Sequence, residues 1–165
     1  MGDTVGWSGA VGEQTTLAER KRRAGQRLVL GLPGPEVDSE FRELVKEVQP
    51  AGFILFARNV VHPAQVRDLN RELATLVAGD APVLLTVDQE GGRVQRVRDP
   101  ATCWPPMRGV GAHGEVTDRV SRGLARELRA MGFNLNFAPV ADVDSNPDNP
   151  VIGDRSFGRA PSEVA

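Results

Sequence analysis

Ala81-Pro82-Val83-Leu84-Leu85-Thr86-Val87-Asp88-Gln89-Glu90-Gly91-Gly92-Arg93-Val94-Gln95-Arg96 decides the fold. A mostly apolar, β-branched run halts at Asp88 and gives way to a polar, glycine-bearing stretch. Short continuous apolar runs bounded by turn residues suit strands covered on both faces. Working outward, the same design recurs. Leu28-Val29-Leu30 is stopped by Gly31-Leu32-Pro33-Gly34-Pro35, and Gly52 to Phe56 runs into Arg58-Asn59. Asn134 to Val140 is the fourth such run, and it meets Asp142 to Pro150.

Between the runs the period changes. Glu36 to Val48 predicts a helix, with Phe41, Leu44, Val45 and Val48 on one stripe. Pro63 opens the next helix, whose apolar face is Val66, Leu69, Leu73 and Leu76. A third helix spans about Val116 to Met131, with Gly132 as its stop. Thr16 caps a leading helix from Leu17, and Pro161 to Ala165 reads as the start of a last one. Strand and helix alternate without a linker, which is the pattern of parallel βα units. A doubly wound sheet closes with four or five strands, whereas a (β/α)8 barrel needs eight and about 250 residues. Periodicity leaves both open.

Composition narrows the function. The 165 residues carry a formal net charge of -2 and no Tyr, which argues against a nucleic-acid partner. No stretch is long and apolar enough to span a membrane, and Met1 to Gln14 lack the apolar run of a secretory leader. A disordered tail over 1–14 and a cytoplasmic location are therefore expected. Cys103 is the only cysteine, so no internal disulfide can form. In Cys103-Trp104-Pro105-Pro106 it reads as a small half-buried thiol rather than a nucleophile.

Ligands of parallel sheets sit at the C-terminal ends of the strands, and here each such end is polar. Asp88 belongs at the rim. A carboxylate there accepts from two sugar hydroxyls, and arginines donate in a planar fork. The competing account has Asp88 capping a turn and the arginines forming salt bridges; spacing does not choose between them. Gly109-Val110-Gly111-Ala112-His113-Gly114 spells a dinucleotide fingerprint, but the required strand does not precede it. Asp142-x-Asp144-x-Asn146 opens like a calcium loop, yet Pro147 stands where that loop needs Gly. His62 and His113 lack metal-ligand spacing, and surface or capping roles suit them better.

Four stretches resemble glycoside hydrolase family 3, in its bacterial β-N-acetylhexosaminidase branch. These are Gly52-Phe53-Ile54-Leu55-Phe56-Ala57-Arg58-Asn59, Val87 to Arg96, Asn136 to Val143, and Ile152-Gly153-Asp154-Arg155-Ser156-Phe157-Gly158. Their order and spacing agree with the family over nearly everything from Leu17 onward. The resemblance implies an α/β fold, the N-terminal half of a (β/α)8 barrel over residues 15–165, truncated. It implies retaining hydrolysis of terminal β-linked N-acetylglucosamine, commonly in peptidoglycan recycling. Asp88, Arg96 and Arg155 match the family's sugar-binding positions, and no metal or organic cofactor is expected. The branch takes its nucleophile from a later Asp and its acid/base from a His after a Lys-His-Phe-Pro-Gly-His type motif. This sequence has no such motif, so no catalytic residue is assigned and the chain alone is expected to be inactive. A half barrel also exposes strand edges, from which self-association is expected. The alternatives are a non-catalytic sugar-binding remnant and, less favoured, a nucleotide-binding α/β protein using Gly109.

Overall fold

The computed structural model describes residues 15–79 and 81–165, so the tail expected over 1–14 lies outside the described residues. Four strands, β1 (Val29–Gly31), β2 (Gly52–Leu55), β3 (Leu84–Val87) and β6 (Leu135–Asn136), form one parallel sheet in the order β1-β2-β3-β6. The spatial order follows the chain order without reversal. A doubly wound sheet reverses at a switch point, whereas consecutive units of a barrel do not, so the topology favours the barrel.

Helices α2 (Ser39–Val48), α3 (Pro63–Ala74) and α5 (Thr117–Ala130) are the crossovers between successive strands. The register pairs Phe53 with Leu85 and Leu55 with Val87, so these four share a sheet face. They pack with Phe41 and Val45 of α2, Val66, Leu69 and Leu73 of α3, and Leu124 and Leu128 of α5. Of the predicted helical stripes, Phe41, Val45, Val66, Leu69 and Leu73 are buried and Leu76 packs against them just past α3, whereas Val48 is half-buried and Leu44 is exposed on the open side of α2.

The helix starts follow local chemistry. Thr16 and Glu19 form a reciprocal cap at the head of α1 (Leu17–Gly25). Asp38 accepts from the Phe41 amide at 2.7 Å, which starts α2 three residues later than Glu36. His62 caps α3 by accepting from the Ala64 amide through Nδ1, with Pro63 in the first turn. Gly132, at φ 86°, terminates α5.

The outer strands β1 and β6 each have a neighbour on one side only. A cleft of about 960 Å³ follows the β1 edge between Gly31–Pro33 and α2, and one of about 460 Å³ follows β6 beside Leu128 and Phe133. The fourth strand is shorter than the sequence predicts. Only Leu135 and Asn136 pair with β3; the Phe137 amide still donates to the Val87 carbonyl, and the Asn136 side-chain amide bonds the Gln89 backbone. Among the described residues no helix is long and apolar enough to cross a membrane.

Candidate functional site

Asp88 directly follows β3. By strand alternation it lies on the same side as Thr86, the face opposite the helices. The polar, glycine-bearing stretch after it folds into an antiparallel hairpin of β4 (Gln89–Gly91) and β5 (Val94–Gln95). Gly91 and Gly92 take φ of 102° and 56°, in the left-handed region that favours glycine. A Cβ on Gly91 would also meet the Pro105 carbonyl oxygen at 2.3 Å.

Two buried glutamines shape the segment after the hairpin. Gln89 Oε1 accepts from the amides of Arg96 and Val97 at 2.8 and 3.0 Å, and its Nε2 donates to the Val97 carbonyl at 2.8 Å. Gln95 donates to the Val97 and Thr102 carbonyls and accepts from the Trp104 amide. The backbone of Arg96 is thereby fixed, and its Nη2 reaches Asp88 Oδ2 at 2.9 Å. This pair is partly open to solvent, with side-chain exposures of 23% for Asp88 and 27% for Arg96. Beside it lies Phe56, whose ring centroid is 6.0 Å from the Arg96 guanidinium carbon and 4.8 Å from that of Arg58. Asn59 is buried. It ties the end of β2 to the Leu32 and Gly34 carbonyls.

Arg155 comes from the far loop, in a single helical turn over Gly153–Arg155. Its Nε and Nη2 each donate to one Glu90 carboxylate oxygen at 2.8 Å. Glu90 is nearly buried, at 6% side-chain exposure, and Arg155 is at 23%. The Glu90 hydrogen bonds hold the guanidinium protonated above its ordinary range, and the charges of Asp142 and Asp88 act in the same direction. The loop carrying Arg155 is tied down on both sides. Arg93 donates to Asp154 and to the Val151 and Ile152 carbonyls. Arg108, from α4 (Met107–Gly111), donates to Asp144 and to the Ser156 and Gly153 carbonyls. That contact depresses the Asp144 carboxyl below its usual range, helped by Arg159.

Residues 21–165 match the family model described as glycosyl hydrolase family 3 N terminal domain. The chain belongs to glycosyl hydrolase family 3. A β-hexosaminidase of Thiobacillus denitrificans is 43% identical over 145 residues, covering 83% of this chain and 40% of that relative. The family 3 β-N-acetylglucosaminidase of Paenibacillus sp. str. FPU-7 superposes with a TM-score of 0.80 at 38% identity, over 87% of this chain and 28% of that one. NagZ of Neisseria gonorrhoeae, in complex with N-trifluoroacetyl-D-glucosamine, gives a TM-score of 0.75 at 33% identity, over 83% of this chain and 42% of that one. The chain thus spans about two fifths of the Thiobacillus relative. Its four parallel units are the N-terminal half of the family's (β/α)8 barrel.

The three residues singled out from sequence meet at one end of the sheet. Asp88 and Arg96 bond directly, and Arg155 is bonded to Glu90, two residues on from Asp88. The sequence missed the hairpin, and with it Glu90 as the partner of Arg155; the available signal was Gly91-Gly92, a hairpin-turn pair. It also missed Gln89 and Asn136 as backbone clamps, since an amide's partners leave no periodic trace. Cys103 is corrected, because it is exposed rather than half-buried. Trp104 beside it turns toward α5 instead, where its Nε1 donates to Glu127. Gly109 and Gly111 sit inside α4, after the strandless segment through Pro105 and Pro106. The geometry of a strand-to-helix phosphate loop is therefore missing at that position. The cleft of about 960 Å³ along the β1 edge is lined by Arg58 but by none of Asp88, Arg96 and Arg155.

Proposed function

We propose that this chain forms the sugar-holding wall of a retaining β-N-acetylhexosaminidase acting on terminal β-linked N-acetylglucosamine. Asp88 accepts hydrogen bonds from ring hydroxyls, and Arg96 and Arg155 donate to hydroxyl or carbonyl oxygens. One observation carries this reading. Asp88–Arg96 and Glu90–Arg155, two preformed carboxylate–guanidinium pairs, stand together just past the C-terminal end of β3, where ligands of parallel sheets bind. Preformed pairs keep their donors aimed without reorganisation on binding.

No residue of the chain takes the nucleophile or acid/base role. His62 is occupied as a helix cap, and His113 is exposed beside Glu115. Retaining hydrolysis needs both groups, and in this proposal they come from outside the 165 residues. A role in peptidoglycan recycling in the cytoplasm fits the substrate class and completes the proposal. The relatives named above support the saccharide class by their own descriptions.

Saturation-transfer NMR with N-acetylglucosamine tests the site. We expect transfer to the sugar from the wild-type chain, loss of it in Asp88→Ala, and no cleavage of a chromogenic N-acetyl-β-glucosaminide by the chain alone. Equal transfer in Asp88→Ala would remove the proposed role of this carboxylate.

A further inference from the structure

We infer that Glu90 sets both the aim and the charge of the sugar-holding end, so that it accepts a neutral pyranoside and turns away anionic ones. This inference rests on the saccharide reading of the site and adds a specificity-determining residue to it. A buried carboxylate is costly unless paired and fully hydrogen-bonded. Glu90 meets that condition with one partner, since both its oxygens are taken by the side-on edge of Arg155.

Two consequences arise from the geometry. The first concerns donors. A guanidinium has five N–H groups; Glu90 accepts from Nε and Nη2, and the Val151 carbonyl accepts from Nη1 at 3.1 Å. Among the described residues, one N–H on Nη1 and one on Nη2 have no acceptor, and they lie in a plane that Glu90 fixes. Glu90 is in this sense a positioning residue for Arg155.

The second concerns charge. An unpaired arginine is a ready partner for carboxylate, sulfate or phosphate. Here Glu90 cancels Arg155, Asp88 cancels Arg96, Asp154 faces Arg93, and Asp144 faces Arg108. Asp142 adds a further negative charge close to Arg155. An incoming anion at Arg155 or Arg96 therefore meets a carboxylate already seated on the guanidinium, whereas Arg58 at the end of β2 is held by the Leu32 carbonyl. A hydroxyl or amide oxygen needs only the spare N–H groups.

The test tracks the Arg155 Nε–H resonance by nitrogen–proton NMR in the full chain during two titrations, one with N-acetylglucosamine and one with inorganic phosphate. In the wild type we expect the sugar to shift this resonance and phosphate to leave it unmoved. In Glu90→Gln, which keeps the side-chain volume, we expect sugar affinity to fall about tenfold and phosphate to begin shifting the resonance. Glu90→Asp keeps the charge and shortens the reach. It should weaken the sugar without admitting phosphate, which separates aim from charge, and it guards against misfolding of the Gln variant. Unchanged sugar affinity in Glu90→Gln, or phosphate shifting Arg155 equally in wild type and variant, would overturn the inference. If phosphate discriminates as expected but the sugar moves nothing in the wild type, the saccharide reading fails while the charge-cancelling role of Glu90 stands.

Discussion

The layer between helices and sheet and the polar end of the same sheet are built on opposite principles. The layer is apolar. Phe53, Leu55, Val45, Val66 and Leu73 are fully buried there, and their contribution is non-directional burial. At the polar end, order comes from directed bonds. Gln89 makes three to backbone groups, Arg108 reaches one carboxylate and two carbonyls, and Glu90 engages Arg155 through both oxygens. The layer tolerates volume-conserving exchange and resists loss of volume. The polar end tolerates little chemical exchange at Gln89 and Glu90, because removing either leaves a partly or fully buried donor unmet. One chain thus uses non-directional burial in one stratum and directed bonding in the other.

The contrast can be broken at several points. Leu73→Ala empties a fully buried position and is expected to cost about 2–5 kcal/mol in denaturant unfolding. The Asp88–Arg96 pair should persist in the folded fraction. If the pair were lost at denaturant levels where the chain is still folded, the two strata would not be separable.

Gln89→Ala is the next largest. It strands the amides of Arg96 and Val97, while the Val97 carbonyl keeps its bond from Gln95. We expect a loss of about 1–3 kcal/mol, with faster hydrogen exchange at those two amides and little change at Leu55 or Leu73. Uniform acceleration across the chain would place Gln89 in the general core instead.

A smaller effect is expected from pH. Arg108 depresses the folded-state pKa of Asp144 below its ordinary 3.8. Its stabilisation is therefore complete above about that value and is lost as pH falls through the folded pKa. The wild type should lose loop order on acidification below pH 3.8, and Asp144→Asn should flatten that part of the profile. The smallest effect belongs to Asp118, which pairs with Arg122 across an exposed turn of α5 at 74% side-chain exposure. Asp118→Ala should leave the thermal midpoint unchanged at physiological salt.

The same division governs how much the sequence reveals. Val66, Leu69 and Leu73 announce their face by spacing, and the Val83–Val87 run announces a covered strand. The rim position of Asp88 followed from the end of that run. Glu90 and Gln89 could not be placed this way. Their partners, Arg155 and Val97, are fixed by a hairpin whose register depends on left-handed glycines and on contact with Pro105. The Glu90–Arg155 bond spans 65 residues of chain and has no period. The resemblance to the family brought Arg155 into view, but only the folded chain shows that Glu90 already holds it. Cys103 failed for a related reason, since Trp104 takes the inward place and leaves the thiol in solvent.

The most direct test of the sugar-holding wall is an amide-shift map of the chain during titration with N-acetylglucosamine. We predict changes confined to residues 88–96 and 151–158, with the helix–sheet layer silent and with loss of the response in Asp88→Ala. Changes centred on Gly109 to Gly114, or a uniform absence of change at saturating sugar, would contradict it.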